Sequence, residues 1–69
     1  MFYVKCLNNP CGSVRNMYAA KNGEYYGWSA LKEKADLFNS NEAFRRRERE
    51  AIPHIYCGCE FIVEQAELF

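Results

Sequence analysis

Apolar and polar positions fall into four blocks along the chain. The first, FYVKCL at residues 2 to 7, is rich in aromatic and β-branched residues and runs into NNPCG, which predicts a strand ending in a tight reversal. The second, NMYAAKNGEYYGW, holds Asn22-Gly23, a pair that tolerates the positive φ of a two-residue type I′ hairpin loop. A loop there sets the register, with Lys21 opposite Glu24, Ala19 opposite Tyr26 and Met17 opposite Trp28. Met17, Ala19, Tyr26 and Trp28 then share the expected core face, and Tyr18, Ala20, Tyr25 and Gly27 share the other. The charged stretch SALKEKAD that follows reads as a helical turn or a loop.

The third block, LFNSNEAFRRREREAI, predicts a helix. Asn39 followed by Glu42 forms a candidate capping box, and Phe38 outside the cap can pack on Ala43. The helix is expected from Ser40 to Ala51, because Pro53 disfavours helical backbone at Ile52. At about 100° per residue, Ala43, Phe44, Arg47 and Ala51 form one stripe, while Glu42, Arg45, Arg46 and Arg49 lie opposite. That apolar stripe is thin, so the helix is expected to lean on a sheet through Phe44 and the aliphatic stem of Arg47. The last block alternates after Gly58, with Cys59, Phe61 and Val63 on one side and Glu60, Ile62 and Glu64 on the other, and closes the chain as a strand. Strand, hairpin, helix and strand in this order predict a single α+β domain: a small antiparallel β-sheet of three to five strands with one α-helix packed on one face. The sheet's other face is left for solvent or a partner, with Tyr18, Tyr25 and Tyr3 expected on it.

Size changes the picture next. A domain of 69 residues buries only roughly 60% of the surface its unfolded chain exposes, so a metal, a disulfide or a partner is expected to staple it. Nine Lys plus Arg balance nine Asp plus Glu, which leaves no global field to draw the protein onto nucleic acid or an anionic membrane. Residues 1 to 12 show no basic stretch, long apolar core or small-residue cleavage site, no apolar run approaches about 18 residues, and the protein is expected in the cytosol, where thiols stay reduced.

The four cysteines are therefore metal ligands or small core residues. Tetrahedral zinc takes thiolates and neutral imidazoles in two pairs, each delivered by a tight turn. Cys6 and Cys11 flank the turn at Pro10, and Cys57 with Cys59 would supply the second pair, His54 being a substitute ligand. His54 has no recognisable nucleophile motif beside it, Gly-rich phosphate loops and paired metal carboxylates are absent, and the expectation is a protein that is not an enzyme.

FRRRERE is the one basic cluster. Arg45, Arg46 and Arg49 can meet phosphates or an acidic protein surface, or be used within the helix by Glu42, Glu48 and Glu50 at three- and four-residue spacing. Exposed tyrosines such as Tyr18 and Tyr25 can anchor a protein interface or stack on bases; the RNA version lacks the glycine and aromatic run of an RNA-recognition motif.

The segment GWSALKEKADLFNSNEAF, with Trp28, Ala35, Phe38 and Ala43 in place, and the ending FIVEQ resemble a pattern found in very small accessory proteins of phages and mobile elements. In these a hairpin ends in Trp, a charged loop leads to an A-x-x-F step, a capped helix opens with Glu-Ala, and a final strand closes the sheet. The resemblance covers the C-terminal two thirds and implies stoichiometric binding to a larger host protein or nucleoprotein complex, as in inhibitors of CRISPR effectors or other defence complexes. It includes neither the cysteine pairs nor the arginine run. A zinc-stabilised nucleic-acid-binding module, held by the cysteines and touching phosphate through the arginines, and a structural homodimer are the alternatives.

Overall fold

The computed structural model describes residues 1–66. It contains strands β1 (Phe2–Asn8), β2 (Tyr18–Ala19), β3 (Trp28–Ser29) and β4 (Glu60–Gln65) and one helix, α1 (Ser40–Ala51). The strands form one antiparallel sheet, within the expected three to five strands, in the order β3-β2-β1-β4. α1 crosses one face of it, over β1 and β4. Between them lies the core of Val4, Cys6, Ala19, Trp28, Ala43 and Phe61. The helix starts where its cap chemistry puts it. Asn39 Oδ1 accepts from the Glu42 backbone N–H at 2.9 Å, and the Glu42 carboxylate accepts from the Asn39 N–H at 3.4 Å. Such a cap contributes about 1 kcal/mol.

Two local expectations are corrected. Phe44 was expected to anchor α1, yet it is 57% exposed, and the fully buried contact is Ala43. The small side chain lets the helix come close to the sheet, and Arg47 Nε donates to the Phe61 carbonyl at 2.8 Å to fix it there. Phe44 stands about 100° further round the helix than Ala43, beyond the edge of the contact.

The hairpin is also built differently. Ala19 pairs with Trp28 and Tyr18 with Ser29, two residues along from the register that an Asn22-Gly23 loop would set. The tight turn is Tyr25 to Trp28, whose backbones bond each other at 3.1 and 2.9 Å, with Tyr26 at φ 44° and Gly27 at φ 92° as its central residues. Gly23 serves close approach instead, since a Cβ there would collide with the Trp28 carbonyl oxygen. Because a two-residue shift preserves the side-chain period, Met17, Ala19 and Trp28 still pack in the core while Tyr26 projects fully into solvent. Gly23→Ala is expected to cost about 2 kcal/mol, toward the upper end of ordinary substitutions, and thermal denaturation of the two proteins checks it.

The face away from α1 is partly roofed. Tyr3 and Tyr18 meet edge to face at 5.4 Å, and Lys5 and Lys32 stand 5.4 and 5.7 Å from the Tyr18 ring centroid. Lys32 is brought there by a 3-10 turn, Lys32–Lys34, in the charged stretch. Among the described residues no helix is long and apolar enough to cross a membrane.

Candidate metal centre

Two loops meet at one end of the sheet. The first follows β1, where the Gly12 N–H donates to the Asn9 carbonyl at 3.3 Å across Pro10 and turns Cys11 outward. Gly12 permits this because a Cβ would collide with Asn9 Oδ1. The second follows α1. Pro53 ends the helix in a 3-10 turn, Ile52–His54, and the Cys57 N–H then donates to the His54 carbonyl at 3.1 Å. That reversal sets His54 and Cys57 side by side. Gly58, at φ 77°, turns the chain once more so that Cys59 reaches the same point just before β4.

The result is a cluster of Cys11, His54, Cys57 and Cys59 whose ligand atoms all lie within 4.8 Å of one another. Cys11 Sγ is 3.2 Å from His54 Nδ1 and 3.3 Å from Cys59 Sγ. A tetrahedral site with metal–sulfur bonds of about 2.3 Å places its sulfurs about 3.8 Å apart, so small movements would bring these donors onto an ion. The four residues could bind a metal. His54 would do so through Nδ1.

The surroundings suit negative sulfurs. Asn9 is 8% exposed, and its Nδ2 donates to Cys59 Sγ at 3.2 Å and lies 4.0 Å from Cys11 Sγ. Its Oδ1 accepts from the Val14 N–H at 3.1 Å, which fixes which way the amide faces. Burial raises the Cys59 pKa, but the hydrogen bonds it receives from Cys11 and Asn9 outweigh this and its net shift is downward. Cys11, which donates to Cys59 and Cys57, is pushed up to about 12. Within the metal-free cluster these hydrogen bonds favour the proton on Cys11 over Cys59.

Cys6, expected beside Cys11 as a ligand, lies elsewhere. It is fully buried in the core beneath α1, its Sγ donates to the Asn8 carbonyl at 3.4 Å, and burial raises its pKa. The fourth donor is His54, the substitute. Of the expected partner-binding residues, Arg45 and Arg49 are exposed and line a groove of about 270 Å³ with Phe38, Glu42 and Arg46. Arg46 is half-buried, its Nε bonded to Glu50 at 2.8 Å, and so is less free than an outward-facing arginine. Tyr25 is half-exposed in the hairpin turn rather than on the sheet face, and Tyr18 is only 9% exposed beneath Tyr3 and the two lysines. Sequence reasoning did not single out Asn9, nor the exposed apolar residues Ile52, Ile55 and Tyr56 around the second loop. No family model, curated protein or solved structure matches this chain.

Proposed function

We propose that this protein is a zinc-stabilised binding module, in which Cys11, His54, Cys57 and Cys59 hold a structural ion and the face of α1 meets a phosphate-bearing nucleic acid. The convergence of those four donors from two loops carries the reading. Three thiols and an imidazole form a soft donor set that suits zinc, and four protein ligands fill a tetrahedral site, leaving no open position for catalysis. Support for the binding surface is the groove at Phe38, Arg45, Arg46 and Arg49. Among the described residues Arg45 and Arg49 have no ion-pair partner, so their guanidinium groups are available to phosphate oxygens.

The test has two parts. Metal analysis of protein purified without chelator is expected to give one zinc per chain. Binding to a fluorescent single-stranded oligonucleotide is expected to weaken with salt, with a log–log slope of about −1.4 for two phosphate contacts. Arg45→Ala and Arg49→Ala should each bring that slope about 0.7 nearer zero. The second reading, stoichiometric binding to a larger protein such as host defence machinery, draws support from the exposed side chains Phe44, Ile52, Ile55 and Tyr56. Absence of oligonucleotide binding, with salt-insensitive binding to a protein, would replace the first reading with the second.

A further inference from the structure

The metal cluster contains a second possible staple. Cys11 and Cys59 are 48 residues apart in sequence and their sulfurs are 3.3 Å apart in space, a direct thiol–thiol contact within the cluster. A disulfide needs about 2.05 Å, so the two sulfurs must approach by little more than 1 Å. Both lie in loops beside Gly12 and Gly58, and Cys11 is exposed, so a small oxidant can reach the pair. The Asn9 amide nitrogen lies 3.2 Å from Cys59 Sγ and 4.0 Å from Cys11 Sγ. Cys6 is sealed in the core.

We infer that Cys11 and Cys59 are a site of disulfide formation by peroxide, at which a covalent cross-link takes over from the metal in joining the two loops. The inference rests on the zinc reading of the same cluster for the metal half of the exchange. Its chemistry balances. One thiolate sulfur attacks the peroxide O–O bond and becomes a sulfenic acid, with hydroxide leaving and taking a proton to form water. The second thiolate attacks that sulfur and forms the S–S bond, and the sulfenic hydroxyl leaves as hydroxide, which takes one proton to form a second water. Two electrons pass from the sulfurs to the peroxide. Zinc, left with His54 and Cys57, departs as Zn²⁺, and the Cys57 thiolate takes a proton from solvent. The oxidised protein keeps its two loops tied together and exposes His54 and Cys57, groups that the ion would otherwise occupy.

The experiment treats two samples with hydrogen peroxide, one zinc-loaded and one stripped of metal under reductant that is then removed. Disulfides are mapped by mass spectrometry of peptides, and released zinc is read with a chromogenic chelator. Expected in the zinc-loaded sample are a single cross-link between the Cys11 and Cys59 peptides, free thiols at Cys6 and Cys57, and one zinc released per cross-link, with no such selectivity in the stripped sample, whose loops the ion no longer joins. The oxidised protein, its zinc released, should also melt well above the reduced metal-free protein. In the zinc-loaded sample, a cross-link from Cys11 to Cys57, or oxidation to sulfinic acid with no cross-link, would overturn the inference. A chain that binds no zinc yet cross-links Cys11 to Cys59 would overturn the metal reading while supporting the thiol pair.

Discussion

Stripping the metal with a chelator will unfold most of the protein, and Cys59→Ser will do the same without a chelator. Structural zinc in small peptides is bound with an apparent free energy of about 10–16 kcal/mol near neutral pH, whereas the net stability of a whole domain is only about 5–15 kcal/mol. An ion joining Cys11 to the loop of His54, Cys57 and Cys59 would therefore carry a share of stability comparable to the total. Far-UV circular dichroism with and without chelator, beside the zinc stoichiometry of each variant, measures this. Cys6→Ala provides the contrast. It removes a thiol from the core, outside the cluster, and should cost about 1–2 kcal/mol while one zinc per chain is retained. Acid should mimic the chelator. Every ligand must be deprotonated to bind, so protons compete for three thiolates and one imidazole, and affinity must fall as pH falls. Retention of a fully folded chain in chelator would assign stability to the core alone and remove the ion from the account.

Asn9→Asp should weaken zinc binding by about 10- to 100-fold, the usual effect of losing a group that supports metal ligands from behind. The substitution isolates one property. Aspartate keeps an oxygen for the Val14 N–H but loses the N–H groups that face Cys59 and Cys11, and places a negative charge against sulfurs that are themselves negative in the bound state. Competition with a chromophoric zinc chelator gives the affinity directly. Affinity equal to that of the unaltered protein would show that Asn9 matters only through its bond to Val14.

Much of the fold was legible because its signals are local. The Asn39 and Glu42 capping box, the Pro53 stop and the alternation through Phe61 and Val63 each act over a few residues, and the helix runs from Ser40 to Ala51 as those signals predict. The hairpin was less legible. Asn22-Gly23 and Tyr26-Gly27 lie four residues apart, and the choice between them falls to a tertiary contact, the seat of Gly23 against the Trp28 backbone. In the candidate site, Cys11, Cys57 and Cys59 were readable as ligands and Cys6 was misplaced. A period-two reading of FYVKCL puts Cys6 on the same side as Val4, and both are fully buried. The spacing H-x2-C was the better clue to the fourth ligand, because two intervening residues allow a turn that closes between His54 and Cys57. Asn9 left no such mark, since its importance arises only when residues 50 positions away come alongside.

The pairing of β1 with β4 governs how the protein can be made. These strands are far apart in sequence yet are neighbours in the sheet, with Val4 opposite Val63 and Cys6 opposite Phe61. A ribosome emitting the chain releases β1, the hairpin and α1 before the strand that β1 and α1 are built to cover. Until Phe61 has emerged, the nascent polypeptide holds the halves of a core with no centre and one thiol of a cluster whose other donors are still inside the exit tunnel. Assembly is thus deferred until β4 has emerged, when it slots in and the two loops meet in the same event.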